Sequence, residues 1–352
     1  KLALRGYVAT EALDKAEQSM NELEKLANAS GDANTAETLT RIYVALGHEL
    51  QEQVTRLRQE NKTEELAKVS KGFELFLERI SSRESGNDFR SLNWVADTFY
   101  NLGSGYDAGG GASKLAPQAK SYYEKSIKTD ERLLADAKKK KGFVSDENLL
   151  FGIQLRMARS YRRLGDFNKA ISLLSDILKQ KPMLVEVQRE AAQTLQDWGA
   201  TRPDFYTLAI RGAKTYKTPE GRQEKLIWGW GTMAVKVQSD KKLADTFHEA
   251  RYNQAKCHME QARSKTDASE KSVLLAKAEK DITFTQTVRP DLGGPDWRKK
   301  YDSLFKAIQQ LQGKKPTGLP SEKPTASSAR SPAKAAPSVK PAVKPAVAGA
   351  SK

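Results

Sequence analysis

Residues 151–184 constrain the fold more than any other part of the chain. They read FGIQLRMARSYRRLGDFNKAISLLSDILKQKPML. The small side chains of Ala158 and Ala170 would let two helices cross closely, because a bulkier residue there would hold the backbones apart. Gly165 can adopt the left-handed conformation that ends a first helix, and Pro182 cannot continue a second one. The stretch therefore predicts two antiparallel helices joined by a sharp turn at Gly165.

The same pattern recurs in the residues that follow. The matching positions lie 34 residues apart: Met157 and Ala191, Ala158 and Ala192, Tyr161 and Leu195, Gly165 and Gly199. This spacing resembles the tetratricopeptide (TPR) repeat, a helix–turn–helix unit of about 34 residues, although Gln154 stands where the family often has Trp. The resemblance implies an all-α fold, a right-handed superhelical solenoid of antiparallel helix pairs.

We expect this TPR-like solenoid to span residues 1–312. Its units are 151–184 (the best match), 185–219, the weaker 90–130 and 241–290, and a capping helix at 295–312. In the unit 185–219, Phe205, Ala209, Ala213 and Tyr216 recur at a helical period and predict the second helix.

The chain before residue 90 matches the repeat only loosely. Residues 8–28 predict one helix, and residues 35–60 predict a longer helix interrupted near Gly47. The first of these resembles the second helix of a unit whose first helix would precede Lys1. We therefore expect the chain to be a C-terminal fragment of a larger bacterial TPR protein.

The composition changes at Gly313. Residues 313–352 hold seven of the thirteen prolines, eight basic residues against one acidic residue, and no aromatic residue. Nearly half of the net charge of +15 therefore lies in this segment. Such a segment buries too little apolar area to offset its ordering entropy, so we expect an extended, disordered, cationic tail.

The sequence contains no recognisable catalytic or metal-binding pattern. There are one cysteine and three histidines, and no HExxH, GxSxG or paired-cysteine motif. The glycine-rich residues 104–113 lack the order and the preceding strand of a phosphate-binding loop. No apolar run reaches the roughly 18 residues of a membrane span. We predict no enzyme activity, no cofactor and no metal site.

The TPR resemblance implies a groove lined by the first helix of each pair, where the family binds extended or helical segments of a partner protein. The positions that match this face are Leu155, Arg159, Arg162, Arg163, Arg189, Asn93, Tyr100 and Gln193. The arginines among them would favour an acidic peptide, because guanidinium groups hold carboxylates through paired hydrogen bonds. The alternative is an arginine-rich surface that serves solubility alone.

Two other functions stay open at this stage. The run Lys138, Lys139, Lys140, Lys141 and the basic tail could bind a polyanion such as a nucleic acid, although the run also fits a solvated helix end. The chain could also be an accessory region of a larger enzyme whose catalytic domain lies before residue 1.

Overall fold

A computed structural model describes residues 7, 12–30, 33–218 and 220–320. Within these residues the chain is mostly helical, with one two-stranded sheet, β1 (Ala213–Lys217) and β2 (Gln223–Ile227). The α-helices are α1 (Leu13–Ser30), α2 (Ala33–Gln59), α3 (Thr63–Ser82), α4 (Phe89–Tyr106), α5 (Pro117–Lys139), α6 (Asn148–Leu164), α7 (Phe167–Gln180), α8 (Val185–Gly199), α9 (Asp204–Arg211), α10 (Gly229–Val237), α11 (Ala244–Arg263), α12 (Ala268–Val288) and α13 (Pro295–Leu311).

The 151–184 hairpin forms as predicted. Helix α6 ends at Gly165, whose φ of 82° is the left-handed conformation that glycine adopts without strain. Asp166 then caps α7 by accepting a hydrogen bond from the Lys169 N–H. Ala158 and Ala170 are completely buried where the two helices pack. The small-residue spacing therefore identified a real helix crossing.

Each helix packs chiefly on the helices next to it in sequence. Contacts join consecutive helices, and further contacts join the first helices of successive pairs, as between α4 and α6 or α6 and α8. In the described residues the buried apolar side chains form four clusters that succeed one another along the chain. This arrangement is a helical-repeat-like row of hairpins, in which each pair buries its apolar face against its neighbours.

The expectation of an all-α fold is wrong between residues 213 and 227. Helix α9 stops at Arg211, and Ala213 and Tyr216 lie in β1, which pairs antiparallel with β2. Gly212 turns the chain with a φ of 81°, and a Cβ there would lie 2.2 Å from the Ile227 carbonyl oxygen. The helix does not continue through this residue, because a φ of 81° lies outside the helical region. The predicted end of the unit, Pro219, lies outside the described residues.

The predicted interruption of α2 at Gly47 is also absent, since the helix runs through it. A Cβ on Gly47 would lie 2.4 Å from the Trp94 ring, which also contacts His48. Glycine here makes room for an aromatic side chain of α4 and does not break the helix.

The predicted capping helix is α13, which packs on α11 and α12. The chain then returns along α13, where Asp302 accepts from the Leu319 N–H at 2.8 Å and Gln309 accepts from the Gly318 N–H at 3.0 Å. Residues 314–320 of the predicted tail therefore lie against the last helix, and the tail from residue 321 lies outside the described residues. None of the described helices is apolar over a stretch long enough to cross a bilayer.

Candidate functional site

The first helices of successive pairs, α4, α6, α8 and α11, form one surface, called here the first-helix face. Contacts join α4 to α6 and α6 to α8. Gln196 of α8 donates to Asn253 of α11 at 3.2 Å, which continues the row. The helices of this face contain the residues that the sequence predicts for partner binding.

Arg156 joins α6 to the preceding pair. Its Nε donates to Asp130 of α5 at 3.0 Å, and its Nη2 donates to Asn93 of α4 at 3.0 Å. Asp130 is completely buried, and burial raises the pKa of its carboxyl to about 6 although Arg156 opposes this shift. Asn93, a predicted partner-binding residue, is thus committed to this internal network.

Arg159 and Arg162 join α6 to α8. Arg162 donates to Glu190 at 2.5 Å and to Asp197 at 2.7 Å, and Arg159 donates to Glu186 at 2.6 Å and to Glu190 at 3.3 Å. Burial opposes the charge of Arg162, but the two carboxylates outweigh it and raise the pKa of the guanidinium. These contacts fix the position of one hairpin on the next.

Arg163 holds the glycine-rich segment after α4. It donates through two nitrogens to Asp107, which also accepts from the Gly109 N–H and the Tyr123 hydroxyl. Burial raises the pKa of Asp107, but these donors outweigh it and hold the pKa below its usual range. These hydrogen bonds hold the glycine-rich residues 104–113 of the unit 90–130 against α6.

The arginines of this face are paired with the chain's own carboxylates. Five guanidinium groups, counting Arg156 and Arg189, meet seven carboxylates within the described residues. Binding of an acidic peptide would have to displace these carboxylates. The pairing therefore does not support an acidic ligand at this face.

Leu155 requires a correction, because its side chain is only 7% exposed. It belongs to the apolar cluster shared with α7 and α8 and cannot line an open groove. Tyr100 is partly exposed and its ring lies tilted at 55° against that of Tyr123, and burial raises the pKa of its hydroxyl. Gln193 donates to Asp197 at 2.7 Å.

Arg189 lies at the open end of the face. It meets Glu249 of α11 at 3.6 Å, a looser contact than those of Arg162. Here a cleft of about 410 Å³ opens between α8, α11 and the start of α13. Trp297 lines it and donates to Asp245 at 3.1 Å, while the Lys300 ammonium lies 4.2 Å from the centre of the Trp297 ring.

The lysine run lies at the end of α5 and is exposed. Lys140 contacts Asp136 at 3.1 Å and lies over the Phe143 ring, which is ordinary for a helix end. Lys138, Lys139 and Lys141 lie beside it at the same helix end. These contacts give no further support to polyanion binding.

Sequence reasoning identified the arginines of the face but missed their partners. Glu190 lies 31 residues after Arg159, and Asp197 lies 35 residues after Arg162. These separations are close to one repeat, so acidic residues one repeat beyond the arginines were a usable signal. In the described residues no group of three or more His, Cys, Asp or Glu side chains could hold a metal ion.

No protein-family model matches the chain. No curated protein matches it either. Among solved structures, it is similar to a circular tandem repeat protein with novel repeat topology and enhanced subunit contact surfaces, at 17% identity over 88% of this chain and 75% of that one. The TM-score of 0.32 is too low to support an argument.

Proposed function

We propose that the chain is a protein-interaction scaffold of TPR-type hairpins in a right-handed superhelix, with a binding role and not a catalytic one. A segment of a partner polypeptide would lie along the first-helix face and end in the cleft beside Trp297. The observation that carries this proposal is the change along the face: its interior junctions are closed by ion pairs, whereas the α8–α11–α13 junction is open.

The cleft favours a basic side chain on the partner. Three carboxylates line it, those of Asp245, Glu249 and Asp296, against the cations of Arg189 and Lys300. Burial raises the pKa of Glu249, although Arg189 and Lys300 oppose the shift. The position of the Lys300 ammonium shows where a cation fits on the Trp297 ring. A partner lysine or arginine could share that ring and the carboxylates.

Photo-crosslinking tests this proposal. A photoreactive amino acid at Gln193 or Thr246 on the face should crosslink one and the same polypeptide, whereas the same amino acid at Lys179, exposed on α7, should not. The identified polypeptide is then purified and titrated with the intact chain. We expect Asp296→Asn to weaken its Kd by about tenfold, as for a lost hydrogen bond to a charged group.

The matched control is Asp176→Asn, because Asp176 is an exposed aspartate on α7 whose carboxylate meets Lys179. It should leave the Kd unchanged. Equal crosslinking from Lys179, or an unchanged Kd for Asp296→Asn, would contradict the proposed face.

A further inference from the structure

A second groove lies between α10, α11 and α12, away from the first-helix ion pairs. Its volume is about 790 Å³. Three of its apolar side chains are unusually exposed: Phe284 at 52%, Val288 at 46% and Val235 at 63%. Phe284 and Val288 lie one turn apart on α12 and present one apolar surface. A groove of this size can hold a few residues of a peptide.

Arg251 lines this groove and is held by neutral groups. Its Nε donates to the Thr285 hydroxyl at 3.0 Å, its Nη1 to Gln254 at 3.2 Å and its Nη2 to the Asp281 carbonyl at 3.3 Å. The guanidinium also lies 5.1 Å from the centre of the Phe284 ring. A guanidinium has five N–H donors, so two of those on Arg251 stay available in a fixed geometry.

Arg289 lines the same groove. Its Nη2 donates to the Gln238 carbonyl at 3.0 Å, and its guanidinium lies over the Phe247 ring. In the described part of the chain, no carboxylate oxygen lies within 4.0 Å of the Arg251 or Arg289 nitrogens. This is the reverse of the first-helix face, where Arg156, Arg159 and Arg162 each meet a carboxylate.

The acidic residues around the groove do not neutralise these two arginines. Asp240 caps a short helical turn by accepting from the Lys242 N–H, and Asp291 lies in the exposed loop after α12. The Asp281 carboxylate accepts from Gln254 at 2.8 Å and contacts His258 at 2.8 Å. Lys241 adds a third cation to the lining. The electrostatic complement of the groove is therefore an anion.

His248 lies at the inner side of the groove. Its side chain lines the groove and is only 4% exposed, and its Nδ1 has no hydrogen-bond partner among the described residues. Because this nitrogen is shielded from solvent, a ligand in the groove cannot reach it unless the ring moves. Burial also lowers the pKa of His248, which favours the neutral ring and leaves one ring nitrogen able to accept.

We propose that this groove docks an acidic segment of a partner polypeptide. A carboxylate of the segment binds Arg251 and Arg289, and an adjacent apolar side chain lies on Phe284 and Val288. The groove adjoins the cleft beside Trp297, since Gly293 lines both, but Arg251, Arg289 and Phe284 are not part of that cleft.

A displayed library of random heptapeptides, selected on the intact chain, tests this docking site. We expect enrichment of peptides that carry Asp or Glu next to an apolar residue. In a synthesised copy of a selected peptide, replacing that Asp or Glu by its amide should weaken the Kd by about tenfold or more, because its charged hydrogen bonds to Arg251 and Arg289 are lost. Arg289→Gln, at an exposed position that should fold normally, should weaken it by about the same factor. Phe284→Ala should also weaken it.

Arg202→Gln is the matched control, because Arg202 is exposed and lies over the Phe205 ring but is not part of the groove. It should leave peptide binding unchanged. Asp296→Asn should do so as well, which separates this site from the proposed cleft. No enrichment of acidic and apolar peptides, or equal binding by Arg289→Gln and the unchanged chain, would overturn the assignment.

Discussion

At the scale of single residues, the role of an arginine is set by the acids that the fold brings to it. Arg162 and Arg163 each meet a carboxylate, whereas Arg251 donates to neutral groups. All three are arginines on helices, and helical position alone does not separate them. Removing a partner carboxylate should therefore cost stability at the first-helix face.

Asp107→Asn tests this at one pair. The folded-state pKa of Asp107 is lowered, so its carboxylate contributes stability above the unfolded pKa of about 3.9, and this contribution is lost as pH falls through the folded value. We expect the variant to lose about 2 kcal/mol of unfolding free energy near pH 7 and much less near pH 3. Urea denaturation of the variant and the unchanged chain at the two pH values measures the difference in unfolding free energy.

Asp176→Asn is the control, because Asp176 is exposed and should change stability by less than about 0.5 kcal/mol. If Asp107→Asn loses as much unfolding free energy near pH 3 as near pH 7, the assigned role of the Asp107 charge is contradicted.

At the scale of elements, spacing predicted the hairpins well and the strands not at all. Ala158, Ala170 and Ala192 are completely buried, because small side chains at a helical period leave room only for a close helix. Ala213 and Tyr216 continue the helical period of Phe205 and Ala209, yet they form a strand. The spacing of apolar residues does not reveal the backbone turn at Gly212. That turn ends α9 and brings the chain against the Ile227 carbonyl of β2.

The binding residues were predictable only in part, for a related reason. The predicted hairpin placed Arg159 and Arg162 correctly on helix α6, but whether their side chains are free to bind depends on the helices packed against it. The partners of these arginines lie about one repeat away, and Leu155 is buried by the same neighbouring hairpin. The α10–α12 groove could not be predicted from the sequence, because Arg251 of α11 and Arg289 after α12 line it together only in the folded chain.

Two glycines beside strands β1 and β2 distinguish the cost of a left-handed backbone from the cost of a steric clash. Gly212 and Gly221 both have a φ of 81°, but a Cβ on Gly221 would meet only the end of Lys217 at 3.7 Å, whereas on Gly212 it would meet backbone. Gly221→Ala should cost about 1 kcal/mol from the left-handed conformation. Gly212→Ala should cost about 2 kcal/mol more, because backbone cannot rotate away as a side chain can. Urea denaturation followed by tryptophan fluorescence measures both, and equal costs would contradict the assigned contact.

At the scale of the whole molecule, the succession of buried clusters predicts that the hairpins depend on their neighbours and not on the entire chain. The cluster around Leu174 and Leu195 extends from α6 to α11, and a different cluster around Ile282 and Tyr301 joins α11, α12 and α13. Damage at one junction should therefore spread to adjacent pairs and fade further along.

Residue-resolved hydrogen exchange of Arg162→Met, compared with the unchanged chain, tests this account most directly. The substitution removes the Arg162 guanidinium from Glu190 and Asp197 at the α6–α8 junction and leaves only Arg159 on Glu190. We predict faster exchange in α6, α7 and α8 and unchanged exchange in α12 and α13. Equal loss of protection in all five helices would show one cooperative core instead of a row of stacked hairpins, and would contradict the account.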